Sequence, residues 1–254
     1  MNKITFAHST RTLSKNIVII PTYNELGNIE KMVRKVMSLQ PSFNLLVIDD
    51  GSPDGTADVV KRLQNEYAER LFLMQRSGKL GLGTAYIAGF KWALQNGYEY
   101  IFEMDCDFSH NPDDLVRLLS EAQNGCDLVI GSRYVQGGGF VNWPLSRILL
   151  SRFASVYVNL VTWLGIADTT AGFVCFKKEV LQTINLDSIK FVGYTFQIEM
   201  KYATKQLGFK IKEIPIIFTE RVEGVSKMST NIVKEAIGGV LRIRWNSLFN
   251  SYRK

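Results

Sequence analysis

From Asn16 onward, short apolar runs alternate with stretches whose apolar residues recur at helical spacing. The runs Asn16–Ile20, Asn44–Ile48, Leu71–Gln75, Tyr98–Met104 and Asp127–Gly131 predict strands, and the amphipathic stretches Asn28–Leu39, Thr56–Glu69, Thr84–Gln95 and Pro112–Asn124 predict the helices between them. Strands alternating with helices imply an α/β fold, a mainly parallel Rossmann-like sheet flanked by helices, and in such sheets ligands bind beyond the carboxyl ends of the strands. The pattern then changes. Ile148 to Ile166 is long and apolar enough to suggest a membrane span, yet Ser151, Ser155, Asn159 and Thr162 fall at steps of four, four and three, with Arg152 beside them. That narrow polar stripe favours a helix packed on the sheet or lying at a membrane interface. Phe191–Gly208 reads as a further helix and Phe209–Thr219 as a strand interrupted by Pro215. From Thr230 the chain is amphipathic and basic, with Lys234, Arg242, Arg244, Arg253 and Lys254 among Ile232, Val240, Leu241, Trp245 and Phe249. Such a helix suits an anionic bilayer surface or docking against the domain.

Composition narrows this reading a little. A chain of 254 residues with 46% hydrophobic and 21% charged positions is globular and can bury one large core. Its net charge of +6 is compatible with nucleic acid, an anionic membrane or phosphorylated small molecules, and does not choose among them. Cys106, Cys126 and Cys175 form no CxxC pair and there are two histidines, which disfavours a zinc site or disulfide framework and suits a reducing compartment. Residues 1–15 are polar, read as a short N-terminal arm, and lack the apolar core of a signal peptide.

The chemistry gathers at the predicted strand ends. Pro21-Thr22-Tyr23-Asn24-Glu25 follows the first strand, Asp49-Asp50-Gly51-Ser52-Pro53-Asp54-Gly55-Thr56 the second, and Asp105-Cys106-Asp107 the fourth. Residues i and i+2 of extended chain project to one side, so Asp105 and Asp107 can face one hard divalent cation, for which Mg²⁺ takes one or two carboxylates and completes its shell with phosphate oxygens and water. A Tyr23 ring can stack on a base, and Glu25 and Asp50 can accept hydrogen bonds from base or ribose donors. Asp54-Gly55-Thr56 serves equally as a turn and helix cap. Gly81-Leu82-Gly83-Thr84 opens a helix where backbone amides can approach phosphate, but Tyr86 stands where a dinucleotide fingerprint needs its third glycine, and there is no Walker A sequence.

These stretches, with Gly131-Ser132-Arg133-Tyr134 and Ala171-Gly172-Phe173, resemble family 2 glycosyltransferases, most closely the dolichyl- or polyprenyl-phosphate mannose synthases, over Asn16 to Met228. The resemblance implies a GT-A fold over residues 16–228 with a C-terminal amphipathic basic helix over 229–254. It further implies inverting transfer of a sugar, mannose from GDP-mannose, to a polyprenyl phosphate with Mg²⁺ or Mn²⁺. Nucleotide-sugar contacts would fall on Pro21, Tyr23, Glu25, Ile48, Asp50, Asp105, Cys106 and Asp107, with Arg221 and Lys227 on a cationic loop. The metal would lie on Asp105 and Asp107, with Ser109 where some relatives carry Gln. Arg133, Arg147 and Ser151 would hold the acceptor phosphate. Arg147 and Ser151 lie four apart on one helical face, and arginine offers phosphate a charged fork. With Asp105 and Asp107, these three make up the expected catalytic set. A phosphate nucleophile is already largely ionised at neutral pH, its second pKa being about 6, so no general base is required; His110 reads as a helix-start residue. The expected setting is the cytoplasmic face of a membrane, peripherally bound, with no nucleic acid and protein partners unknown. UDP-glucose or another donor, a soluble glycan acceptor, and a non-catalytic nucleotide-sugar-binding subunit stay open as alternatives.

Overall fold

The computed structural model describes residues 14–193, 195–220, 230–249 and 251–254, without the side chains of residues 230–236. The first half follows the predicted alternation: β1 (Asn16–Thr22), α1 (Leu26–Met37), β2 (Asn44–Asp49), α2 (Thr56–Gln64), β3 (Leu71–Gln75), α3 (Leu82–Gln95), β4 (Tyr100–Glu103), α4 (Asp114–Gln123) and β5 (Leu128–Ser132). Then come β6 (Gly139–Val141), α5 (Leu145–Thr162), β7 (Val174–Lys177), α6 (Lys178–Thr183), α7 (Thr195–Gln206), β8 (Ile211–Pro215), β9 (Ile217–Thr219) and α8 (Thr230–Asn246).

Seven strands form one sheet in the order β3-β2-β1-β4-β7-β5-β8, and β6 pairs with β9 in a separate two-stranded sheet. Successive side chains of a strand face opposite ways, and here both faces are covered. Ile17, Ile19, Leu46 and Ile48 join a core with α3, α7 and α8, while Val18, Ile20, Leu45 and Val47 join another with α1, α2 and α4. Burial on both faces explains why β1 and β2 read as continuous apolar runs rather than alternating ones. α1 shows the complementary pattern, burying Ile29, Met32, Val33, Val36 and Met37 on one face.

Two features depart from the expectation. β7 is antiparallel to both neighbours, pairing Glu103 with Val174 and Ile130 with Val174. Because it runs backwards, its beginning rather than its end lies at the edge where the parallel strands end, and this brings residues 170–173 there. Pro215 ends β8 opposite Ser132, after which Ile217–Thr219 leave for β6, so the single interrupted strand expected at Phe209–Thr219 becomes two strands in two sheets. No helix among the described residues is long and apolar enough to cross a membrane.

α5 is built inside out. Its polar stripe faces inward: Ser155 is buried and accepts from the Thr169 amide at 3.3 Å, while Asn159 Oδ1 accepts from the Gly165 and Ile166 amides at 2.8 and 3.2 Å. Thr162 Oγ1 donates to the Val158 carbonyl at 2.7 Å. The apolar residues Leu145, Phe153, Val156 and Leu160 are exposed instead. α8 lies beside it, with the Tyr157 hydroxyl donating to the Ile237 carbonyl at 2.9 Å. Val240 and Ile243 of α8 enter the core, while Ile237, Leu241 and Trp245, followed by Leu248 and Phe249, extend the exposed apolar face.

Candidate active site

The loops after β1 and β2 are tied together by a local polar network. Asp54 Oδ1 accepts from the Thr56 amide and hydroxyl at 3.0 and 2.6 Å, and its Oδ2 accepts from the Leu26 amide at 3.0 Å, so one carboxylate caps the starts of both α1 and α2. The Glu25 amide donates to Thr56 Oγ1 and the Asn24 amide to Ser52 Oγ, each at 3.0 Å. Asp49 is consumed by Thr22 and Ser52. Asp54-Gly55-Thr56 is therefore scaffold, and it holds Tyr23, Glu25 and Asp50 along one edge.

Asp50 is buried and gripped by a residue the sequence did not single out. Arg76 Nε and Nη2 donate to its two carboxylate oxygens at 2.6 and 2.7 Å, and Arg76 Nη1 reaches Thr84 Oγ1 at 2.8 Å. Lys79 Nζ stands 5.2 Å from the centre of the Tyr23 ring, so that aromatic face already attracts a cation. Pro21 is half-buried at the end of β1, and Glu25 Oε2 accepts from Asn28 Nδ2 at 3.1 Å. Ile48 and Cys106 are buried in the two cores. The Gly81–Gly83 turn is a packing device: a Cβ at Gly83 would lie 2.6 Å from the Phe191 carbonyl oxygen, and the Gly83 amide donates to Val192.

Just beyond β4, Asp105 is half-exposed, while Asp107 is buried and accepts from the Ser109 amide at 3.0 Å. The Ser109 hydroxyl is buried with no hydrogen-bond partner among the described residues, and Ser109 and Asp105 border one cleft. Two carboxylates and an unpaired hydroxyl make an all-oxygen set that fits a hard divalent cation. No group of three or more His, Cys, Asp or Glu able to hold a metal occurs among the described residues, so an ion here would complete its shell with ligand oxygens. His110 stacks on Phe173 at 4.9 Å, and burial pulls its imidazole well below its ordinary pKa, leaving it neutral.

The cleft has a volume of about 610 Å³ and runs from Asp105 and Ser109 past Arg133, Arg147 and Ser151 to an apolar stretch lined by α5 and α8, including Phe153, Val156, Leu160 and Ile237. Five of the predicted site residues, Asp105, Ser109, Arg133, Arg147 and Ser151, thus share one cavity, whereas Pro21, Tyr23, Glu25, Ile48, Asp50, Cys106 and Asp107 do not line it. Arg147 Nη1 donates to Glu220 Oε1 at 2.7 Å, with the guanidinium 5.2 Å from the Trp143 ring centre. Arg133 is bound to Asp168. Burial works to raise the Asp168 carboxyl, but the Arg133 charge and hydrogen bonds prevail and hold it below its ordinary value. Arg221 and Lys227 lie outside the described residues.

Beneath the cleft sits a buried network that sequence reasoning missed. Lys201 Nζ donates to the Ala171 carbonyl at 2.6 Å, and Gln197 links Lys201 to the Glu103 carboxylate. Burial raises the Glu103 carboxyl and lowers the Lys201 ammonium, each away from its charged form. A lysine on an otherwise ordinary helix gives no sequence signal of this.

The profile described as "Glycosyl transferase family 2" matches residues 17–184. Polyprenol monophosphomannose synthase of Mycolicibacterium smegmatis is 45% identical over 229 residues, covering 90% of this chain and 86% of that one. Undecaprenyl-phosphate mannosyltransferase of Micrococcus luteus is 44% identical over 236 residues, covering 91% and 96%. Among solved structures, glucosyl-3-phosphoglycerate synthase from Mycobacterium tuberculosis in complex with Mn²⁺, uridine diphosphate and glucosyl-3-phosphoglycerate superposes with a TM-score of 0.66 at 18% identity, over 91% of this chain and 80% of that one. That last likeness concerns the GT-A fold.

Proposed function

The chain belongs to glycosyl transferase family 2, and from that membership we propose that it transfers mannose from GDP-mannose to a polyprenyl phosphate, inverting the anomeric centre. The two bacterial relatives are named for mannose transfer to polyprenol and undecaprenyl acceptors, which supports the acceptor class. The observation that carries the reading is the cleft itself. It joins Asp105 and Ser109, next to the metal-binding stretch read at residues 105–109, to Arg133, Arg147 and Ser151, and continues into an apolar channel suited to a lipid chain.

In this reading Tyr23 stacks on the base, while Glu25 and Asp50, the latter oriented by Arg76, accept hydrogen bonds from base or ribose. Pro21 and the backbone at Ile48 and Cys106 close that edge. Asp105 and Asp107, with Ser109, would hold Mg²⁺ or Mn²⁺, whose charge would stabilise the leaving diphosphate. Arg221 and Lys227 are assigned to the same anion. Arg133, Arg147 and Ser151 bind the acceptor phosphate and aim one of its oxygens at the anomeric carbon from the face opposite the leaving group. Neutral, buried His110 is not asked to act as a base. The exposed apolar face of α5 and α8 docks on the membrane surface, so that the acceptor can enter the channel without leaving the bilayer.

The test is incubation of purified protein and Mn²⁺ with each labelled nucleotide sugar and a polyprenyl phosphate, followed by organic extraction. Label from GDP-mannose is expected in the organic phase. Extraction of label from UDP-glucose alone, or transfer to a water-soluble glycan alone, overturns the substrate assignment. Donor binding without turnover returns the chain to a non-catalytic binding role.

A further inference from the structure

Arg133, which borders the cleft, is held by a residue that no sequence motif above contains. Asp168, fully buried, accepts from the Arg133 amide at 3.0 Å, from Nε at 2.6 Å and, through its other oxygen, from Nη2 at 2.6 Å. Arg133 Nη2 also donates to Thr170 Oγ1 at 2.9 Å. Asp168 is fixed in turn, since its own amide and that of Ala167 donate to the Glu213 carboxylate at 2.9 and 2.7 Å. The guanidinium lies 5.5–5.8 Å from the ring centres of Tyr134, Phe140, Trp143 and Phe218, which leaves it little room to turn. A fork gripped along one edge and boxed on its faces has one orientation.

We infer that Asp168 is a positioning residue for acceptor binding: it sets the direction in which Arg133 presents to an anionic phosphate beside Arg147 and Ser151. The inference rests on the acceptor reading above and adds a residue to it. Two effects of opposite sign are at stake. Asp168 places a negative charge close to a phosphate site, so removing that charge alone strengthens phosphate binding. Removing the grip on Arg133 frees the guanidinium and weakens it. Because the pair is buried and bidentate, with a third bond to the backbone, orientation outweighs charge here.

Asp168→Asn removes the charge and, because its amide nitrogen cannot accept from the guanidinium, also one arm of the bidentate grip, so the sign of the change in acceptor KM shows which effect prevails. Steady-state transfer from GDP-mannose to farnesyl phosphate is measured for full-length protein, with KM determined for each substrate and folding checked by circular dichroism. The expected result is an acceptor KM raised about tenfold or more, with the donor KM within about twofold. An acceptor KM that falls or stays the same, or a donor KM that rises as much, overturns the inference. Should Asp168→Asn fail to fold, Thr170→Val, which removes the hydroxyl that accepts from Arg133 Nη2 and donates to Asp168 Oδ1 at 3.4 Å, is expected to move acceptor KM in the same direction by a few-fold; an unchanged acceptor KM there is equally decisive against it. Wild-type protein that transfers nothing to polyprenyl or farnesyl phosphate refutes the underlying function and the inference with it. Normal wild-type transfer with an unaffected variant refutes the inference alone.

Discussion

The edge proposed for the donor and the cleft proposed for the acceptor solve opposite problems. On the donor edge, polar side chains satisfy one another locally: Asp49, Asp50 and Asp54 are each engaged by named donors within the β1 and β2 loops or by Arg76. What is left for a ligand is a rigid rim. In the proposed acceptor cleft, two arginines are restrained by carboxylates far away in the chain, Asp168 and Glu220, and the stretch lined by α5 and α8 is largely apolar. The difference teaches that the donor side is preorganised by turn and cap chemistry, whereas the acceptor side depends on which face of α5 is turned inward.

Substitutions that touch one half should leave the other intact. The largest expected effect is at the junction. Asp107→Ala is expected to reduce transfer at least about a hundredfold, as removal of a group stabilising leaving-group charge does. Circular dichroism should show that the variant remains folded, and transfer near the wild-type rate would remove Asp107 from the site. Next, Arg147→Ala should raise acceptor KM by about tenfold to a hundredfold, since a hydrogen bond to a charged group contributes about 1.5–3 kcal/mol. Donor KM should hardly move. Arg76→Ala reverses the pattern, with donor KM raised through the loosened Asp50 and acceptor KM retained. It also lowers the unfolding midpoint, because an unpaired buried carboxylate costs about 3–5 kcal/mol. If both variants shift both constants alike, the two halves are not separable.

The same contrast explains what could be read in advance. The strand ends, the loops around Tyr23 and Asp50 and the Asp105–Asp107 pair were legible because their signals are local: an apolar run, then turn residues, then a helical period. α5 was legible as an element and its polar stripe was noticed, but the burial of that stripe depends on Thr169, Gly165 and Ile166 folding back beneath it. Periodicity reports that a helix has two faces and is silent on which one meets water. β7 escaped because a four-residue strand inserted antiparallel between β4 and β5 breaks the alternation. Asp168 stands just before the Ala171-Gly172-Phe173 stretch, close to a recognised motif, yet its partner Arg133 lies 35 residues away in the chain. Arg76 and Lys201 carried no motif at all.

The exposed apolar face supplies a prediction of intermediate size. Trp245 and Phe249 are 66% and 70% exposed, and their rings stand 5.6 Å apart at the outer edge of α8. Replacing both with serine should weaken sedimentation with anionic phospholipid vesicles by about tenfold or more, since full burial of one large apolar side chain contributes about 1.5–3 kcal/mol. Transfer to farnesyl phosphate in detergent should be nearly unchanged. Retained vesicle binding would mean that the apolar surface of α5 and α8 serves some purpose other than the bilayer.

The smallest expected effect is the sharpest test of how the acceptor cleft differs from the donor edge. Glu220 borders the cleft, and its pair with Arg147 is only partly buried, the two side chains being 31% and 25% exposed. Asp168, by contrast, has no exposed surface and grips Arg133 by backbone and fork together. A shallow carboxylate beside a phosphate-binding arginine competes with the incoming phosphate more than it orients the arginine. Exposed pairs contribute about 0.2–1 kcal/mol, so Glu220→Gln should lower acceptor KM by about twofold to fivefold with donor KM unchanged. A raised acceptor KM would instead place Glu220 in the same orienting role as Asp168. Both arginines would then be locked as firmly as Asp50 is by Arg76, and the acceptor cleft would be as preorganised as the donor edge.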